Sequence, residues 1–222
     1  MATFEVVEQQ GMKMIRAIVN NEVVRAESGA LHYMRGNIEM ESKAPTAAGF
    51  LKSLVTQENI FRPTYRGTGE IYFGPPIFGE YMVLPLNGEA WVLDQGAYVC
   101  SDAGVEIGAW RNKALTGFLG EGFFQTKVEG RGSVVIKAQG PLQAIDLNNE
   151  KLVVDGKFAV ARQAHLNYEV RRATKSLIGS VTSGEGLVNV IEGTGRVYLA
   201  PVPNIYQALV DEVSMRIPMP SK

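Results

Sequence analysis

The phrase GEGFFQTKVEGRGSVVIKAQGP, from Gly120 to Pro141, has two echoes in the same chain. They are QENIFRPTYRGTGEIYFGPP, starting at Gln57, and GEGLVNVIEGTGRVYLAPVP, starting at Gly184. Their Gly-x-Gly marks fall at Gly67/Gly69, Gly130/Gly132 and Gly193/Gly195, so each follows the last by 63 positions (67 to 130, 130 to 193). Repetition at a fixed long period limits the fold more than any local propensity does, because every unit must present the same faces to its neighbours.

The residues around each mark are strand formers. Ile71-Tyr72-Phe73, Val134-Val135-Ile136 and Val197-Tyr198-Leu199 follow the marks; Ile60-Phe61, Phe123-Phe124 and Leu187-Val188 precede them. β-Branched and aromatic side chains in short runs read as strands, so each phrase predicts strand, tight glycine turn, strand. A second mark recurs as Asn20-Asn21-Glu22, Asn87-Gly88-Glu89 and Asn148-Asn149-Glu150. Asn and Gly tolerate left-handed backbone, which predicts three hairpin turns. A third strand block follows in each unit: VRAESGALHYM, YVCSDAGVEIG and FAVARQAHLNYEV.

These marks divide the chain into repeats of about 12–79, 80–141 and 142–203, with a tail at 204–222. Units of this size bury little alone, and no Ser/Gly/Pro linker separates them. A single compact all-β domain spanning 1–222 is therefore expected, with three pseudo-repeats sharing one core about a pseudo-threefold axis. The one helix predicted lies after Pro203, where Asn204 caps IYQALVDEV and sets Ile205, Ala208 and Leu209 on one face.

Composition narrows the function classes. The net charge of −1 gives no electrostatic footprint for nucleic acid, so no nucleic-acid partner is expected. Apolar runs fall far short of the roughly 20 residues that span a bilayer. The start, MATFEVVEQQ, is acidic and lacks a basic region followed by an apolar stretch. Cys100 is the only cysteine, so no internal disulfide can form. A reduced, cytoplasmic protein is expected.

The search for chemistry finds little. There is no GxxxxGK loop, GxSxG elbow, HExxH or CxxC. The Gly-x-Gly marks join strand to strand, which suits a turn better than a phosphate cradle. His32 and His165 are the only histidines, and a cupin-like metal site on them is the weakest reading. Glu58, Glu121 and Glu185 recur at equivalent corners and are read as caps on backbone N–H groups. Arg66, Arg131 and Arg196 sit at shifting offsets and do not make one anion site. No cofactor is expected, nor a catalytic residue.

The segments preceding the phrases are the candidate interaction patch. They carry Phe50, Leu51 and Leu54; Leu115, Phe118 and Leu119; and Leu177, Ile178 and Val181, with Lys52, Lys113 and Lys175 close by. Gathered at one pole, these apolar residues and cations would suit a partner protein or a membrane surface.

The stretches VRAESGALHYMRGNIEMES, GFLGEGFFQTKVEGRGSVVIKAQGPLQAIDL and GEGLVNVIEGTGRVYLAP resemble the altered-inheritance-of-mitochondria family, linked to mitochondrial biogenesis. The resemblance runs from about Met14 to Pro203. It implies a fold similar to the tryptophan RNA-binding attenuation protein, a shortened double-stranded β-helix, here triplicated in one chain. It implies no established enzymatic activity and brings no functional residues. The expected function is a non-enzymatic β scaffold for protein or peripheral membrane association, with homo-oligomers allowed. The alternative is a small-molecule-binding protein with its ligand between repeats.

Overall fold

The structure, a computed structural model, describes residues 1–42, 62–74, 79–110, 125–155, 158–173 and 187–202, with Leu209, Glu212 and Val213. It is all-β. Strands β1 (Thr3–Gln9), β2 (Met12–Ala26), β3 (Leu31–Glu41) and β4 (Thr64–Phe73) come first. Then follow β5 (Glu80–Leu93), β6 (Tyr98–Asp102), β7 (Val105–Trp110) and β8 (Gln125–Ala138). The last are β9 (Gln143–Asp155), β10 (Ala159–Gln163), β11 (Asn167–Arg172) and β12 (Leu187–Leu199). They form one antiparallel 12-stranded sheet in the order β11-β12-β10-β5-β8-β6-β2-β4-β3, with β1 on β2, β7 on β8 and β9 on β12. The helix expected after Pro203 falls, apart from Leu209, Glu212 and Val213, outside the described residues.

Two sequence expectations need correction. The Gly-x-Gly marks are not turns between strands: they lie inside the continuous strands β4, β8 and β12. The Asn-x-Glu marks are not hairpin turns either. They lie inside β2, β5 and β9, where Asn21, Gly88 and Asn149 take the left-handed backbone at φ 58°, 111° and 55°. The two kinds of mark face each other across one ladder. The β2–β4 register shifts between Asn20 and Glu22, opposite Thr68 and Gly67, and the β5–β8 register shifts between Asn87 and Ala90. The β9–β12 register shifts between Gly193 and Gly195, opposite Glu150 and Leu147. Each pair is thus a long two-stranded ribbon kinked at a bulge, where an extra residue tightens the local twist. Positive φ serves a bulge as well as a turn, which is why the residue types alone misled.

Side chains close the bulges. The carboxylates of Glu22, Glu89 and Glu150 accept the backbone N–H of Asn20, Asn87 and Asn148 at 3.3, 2.9 and 3.2 Å. The middle residue of the glycine mark helps in two of the pairs: Thr68 and Thr194 hydroxyls accept the N–H of Asn21 and Asn149 at 3.0 and 2.9 Å. Each bulge leaves backbone donors outside the ladder, and these acceptors take them up.

The third block also resolves differently. VRAESGALHYM runs from the end of β2 into β3, YVCSDAGVEIG is two strands, β6 and β7, and the FAVARQAHLNYEV block is two, β10 and β11. Apolar residues on alternate positions bury against neighbours in three clusters. One centres on Ile15, Ile71 and Phe73, one on Leu86, Trp91 and Ile136, and a smaller one on Leu147, Ile191 and Val197. The short strands tie the ribbons together: β6 bridges β8 to β2, and β10 bridges β12 to β5.

Candidate functional site

Most of the polar groups buried in the sheet gather where these short strands join one ribbon to the next. At the β5–β10 junction, Arg162 follows the buried apolar run Ala159–Ala161 and is itself 4% exposed. Its Nη1 donates to Gln125 Oε1 at 3.0 Å, and its guanidinium lies 3.9 Å from the centre of the Tyr168 ring. Asp94, just past the end of β5, completes the group through Gln125 and the charge of Arg162. Burial dominates the electrostatics. It pushes the Asp94 carboxyl up to about 6, although hydrogen bonds from Gln95 and Gln125 and the charge of Arg162 pull the other way. It also lowers Arg162 to about 10 and raises the Tyr168 phenol to about 12. A planar cation on a ring face, with its edge on an amide, fixes four segments in one geometry.

The Asp94 shift makes stability depend on pH. The folded state holds the proton more tightly than the unfolded chain, so ionisation opposes folding as pH rises from 3.8 to about 6. Asp94→Asn is expected to match wild type in urea midpoint near the lower limit and to exceed it above the upper one. Parallel midpoints across that window would show that the carboxyl is not enclosed.

At the β2–β6 junction, Asp102 is the central group. It is 4% exposed, and its two oxygens accept the backbone N–H groups of Ala2 and Ser133 at 2.9 and 2.8 Å. Nearby, the Tyr98 hydroxyl reaches Arg25 O at 3.1 Å and Ser101 Oγ at 3.0 Å, and the Arg62 guanidinium lies 5.1 Å from the Tyr98 ring centre. Cys100 is fully buried, and burial pushes its thiol well up, so it packs as a small apolar residue.

The twelve residues of the expected interaction patch, from Phe50 to Val181, lie outside the described residues, as do Glu58, Glu121 and Glu185. The structure does not bring the two histidines together. His32 lies in β3 against Gly74, while the His165 ring hydrogen-bonds Thr194 O in β12 at 2.9 Å, at the other end of the sheet order. Among the described residues no group of three or more His, Cys, Asp or Glu is placed to hold a metal ion. Arg66 and Arg131 are exposed, and Arg196 forms a two-point pair with Asp146 at 2.6 and 2.9 Å. Sequence reasoning passed over Arg162, Gln125 and Asp102. A usable signal existed for two of them: a lone charge in the strand-like runs FAVARQ and YVCSD.

The fold and its junctions define a class, the all-β proteins built on one large antiparallel sheet with polar groups buried between strand pairs. Within it, the chain belongs to the mitochondrial biogenesis AIM24 family, whose model matches residues 4–202. An uncharacterized protein of Streptococcus pyogenes serotype M6 is 25% identical over 189 residues, covering 79% of this chain and 75% of its own length. The crystal structure of a structural-genomics target from Streptococcus pyogenes superimposes with a TM-score of 0.79 at 19% identity, covering 98% of this chain and 100% of that one. That likeness concerns the fold. No helix among the described residues is long and apolar enough to cross a membrane.

Proposed function

We propose that this chain is a non-enzymatic β scaffold that works by holding a partner protein or a membrane surface. The observation that carries the reading is the use of the buried polar groups. Both Asp102 oxygens and Arg162 Nη1 are engaged in bonds between segments far apart in the chain, as a rigid frame requires. We read the frame as three tandem units, each like a shortened double-stranded β-helix. The facing bulges of the β2–β4, β5–β8 and β9–β12 pairs support that reading. The cytoplasm is its expected compartment, in keeping with one buried, unbridged cysteine.

On this reading the apolar segments that precede each phrase make the contact. Phe50→Ser, Phe118→Ser and Leu177→Ser combined should abolish co-flotation with anionic liposomes or retention of the partner in pull-downs. A folded triple variant that behaves like wild type in both would overturn the interaction reading.

A further inference from the structure

We propose that copies of this chain associate head to tail by strand addition, the first half of β3 in one copy pairing with the outer edge of β9 in the next. This rests on the scaffold reading above and names one partner for it, a second copy.

The argument is a vacancy in a pattern the molecule completes twice. The end of β2 takes β6 along its outer edge, pairing Ala26 with Cys100, Arg25 with Ser101 and Val24 with Asp102. The end of β5 takes β10 in the same way, pairing Leu93 with Ala161, Val92 with Arg162 and Trp91 with Gln163. The corresponding end of β9 pairs only with β12 among the described residues. β3 ends the sheet on its other side and, among the described residues, pairs only with β4.

The first half of β3 matches β6 and β10 in detail. Each binds the end of its ribbon's last strand with a one-residue irregularity at the same point: Leu31/Tyr33 on β4, Tyr98/Cys100 on β8 and Ala159/Ala161 on β12. This equates Tyr33 with Cys100 and Ala161, and Met34 with Ser101 and Arg162. Exposure differs sharply between them. All of Tyr98–Asp102 and Ala159–Arg162 are buried, whereas Tyr33 is 51% and Met34 39% exposed. On the accepting side Trp91, Val92 and Leu93 are buried, but Val153, the counterpart of Val92, is 54% exposed. Among the described residues two apolar edges, one of each kind, are thus left unpaired, and open strand edges with apolar side chains are templates for pairing.

The internal register transfers directly. Tyr33 faces Val154, Met34 faces Val153 and Arg35 faces Leu152 of the neighbouring copy. Because donor and acceptor edges differ, the contact is heterologous, and it propagates until the rotation closes a ring.

Light scattering on the full chain after size exclusion should give a multiple of 24.2 kDa. Met34→Lys or Val153→Lys alone should reduce the mass to that of one chain at the same concentration, with the circular dichroism unchanged. Met34→Glu with Val153→Lys should restore the multimer, because opposite charges then face each other across the junction. Met34→Cys with Val153→Cys should give a ladder of crosslinked chains on oxidation. A wild-type mass of one chain, or a crosslink closed within one chain, would overturn the proposal. So would a multimer indifferent to both lysines. None of these outcomes bears on liposome or partner binding through Phe50, Phe118 and Leu177, so the scaffold reading stands or falls separately.

Discussion

Gly67→Ala is expected to lower the folding free energy by roughly 3–5 kcal/mol, the range reached when backbone strain and a hard clash coincide. Two causes add. Gly67 has φ +144°, where an L side chain is rarely found, and a Cβ built there would stand 2.0 Å from Asn37 O and 2.9 Å from Ile38 Cα. Those atoms are backbone of β3, so no rotamer change relieves the contact, and β3 must part from β4. Gly88→Ala is the control. Its φ is +111° but nothing lies within 4 Å of the new Cβ, so only the conformational cost of about 1 kcal/mol remains. Urea denaturation of the two variants measures the difference. Amide exchange should place the added opening of Gly67→Ala in Leu31–Glu41, and equal losses for both variants would remove the clash as the cause.

Asp102→Ala is the second large effect, expected at about 2–4 kcal/mol from two backbone donors left without their acceptor. The carboxylate reaches both Ala2 N–H on the first strand's approach and Ser133 N–H in β8, while its own strand pairs with β2. Removing it loosens three elements at once. Asp102→Asn keeps the shape and one acceptor oxygen but turns an amide N–H toward one donor, so it should fall between wild type and Ala. Thermal unfolding gives that order, and exchange at Ser133 should quicken in both variants. An Asn variant as unstable as Ala would mean that the charge, not the pair of acceptors, carries the contribution.

Both predictions turn on partners that lie far away in sequence, and the same distance separates what could be read early from what could not. All-β character was legible because strand formers such as Val134-Val135-Ile136 surround every mark, and β-branched packing is a local preference. The unusual backbone was legible too. Asn21 and Asn149 do take left-handed φ, as their residue type suggests. What they do with it was not legible, since a bulge and a hairpin turn ask the same of a single residue. Only the partner across the ladder tells them apart: Thr68 stands opposite Asn20, and its hydroxyl oxygen accepts the Asn21 N–H, 47 residues away.

The buried junctions follow the same rule. Arg162 in FAVARQ and Asp102 in YVCSD are plain in the sequence as charges among apolar residues, but nothing local names Gln125, Tyr168, Ala2 or Ser133 as their partners. Period and residue type are properties of the chain read along its length, so they carried the strand content, the three phrases and the left-handed positions. Register, burial and open edges are properties of strands meeting sideways. Those came only from the sheet, which seats β6 on β2 and β10 on β5 and leaves Val153 and Met34 exposed.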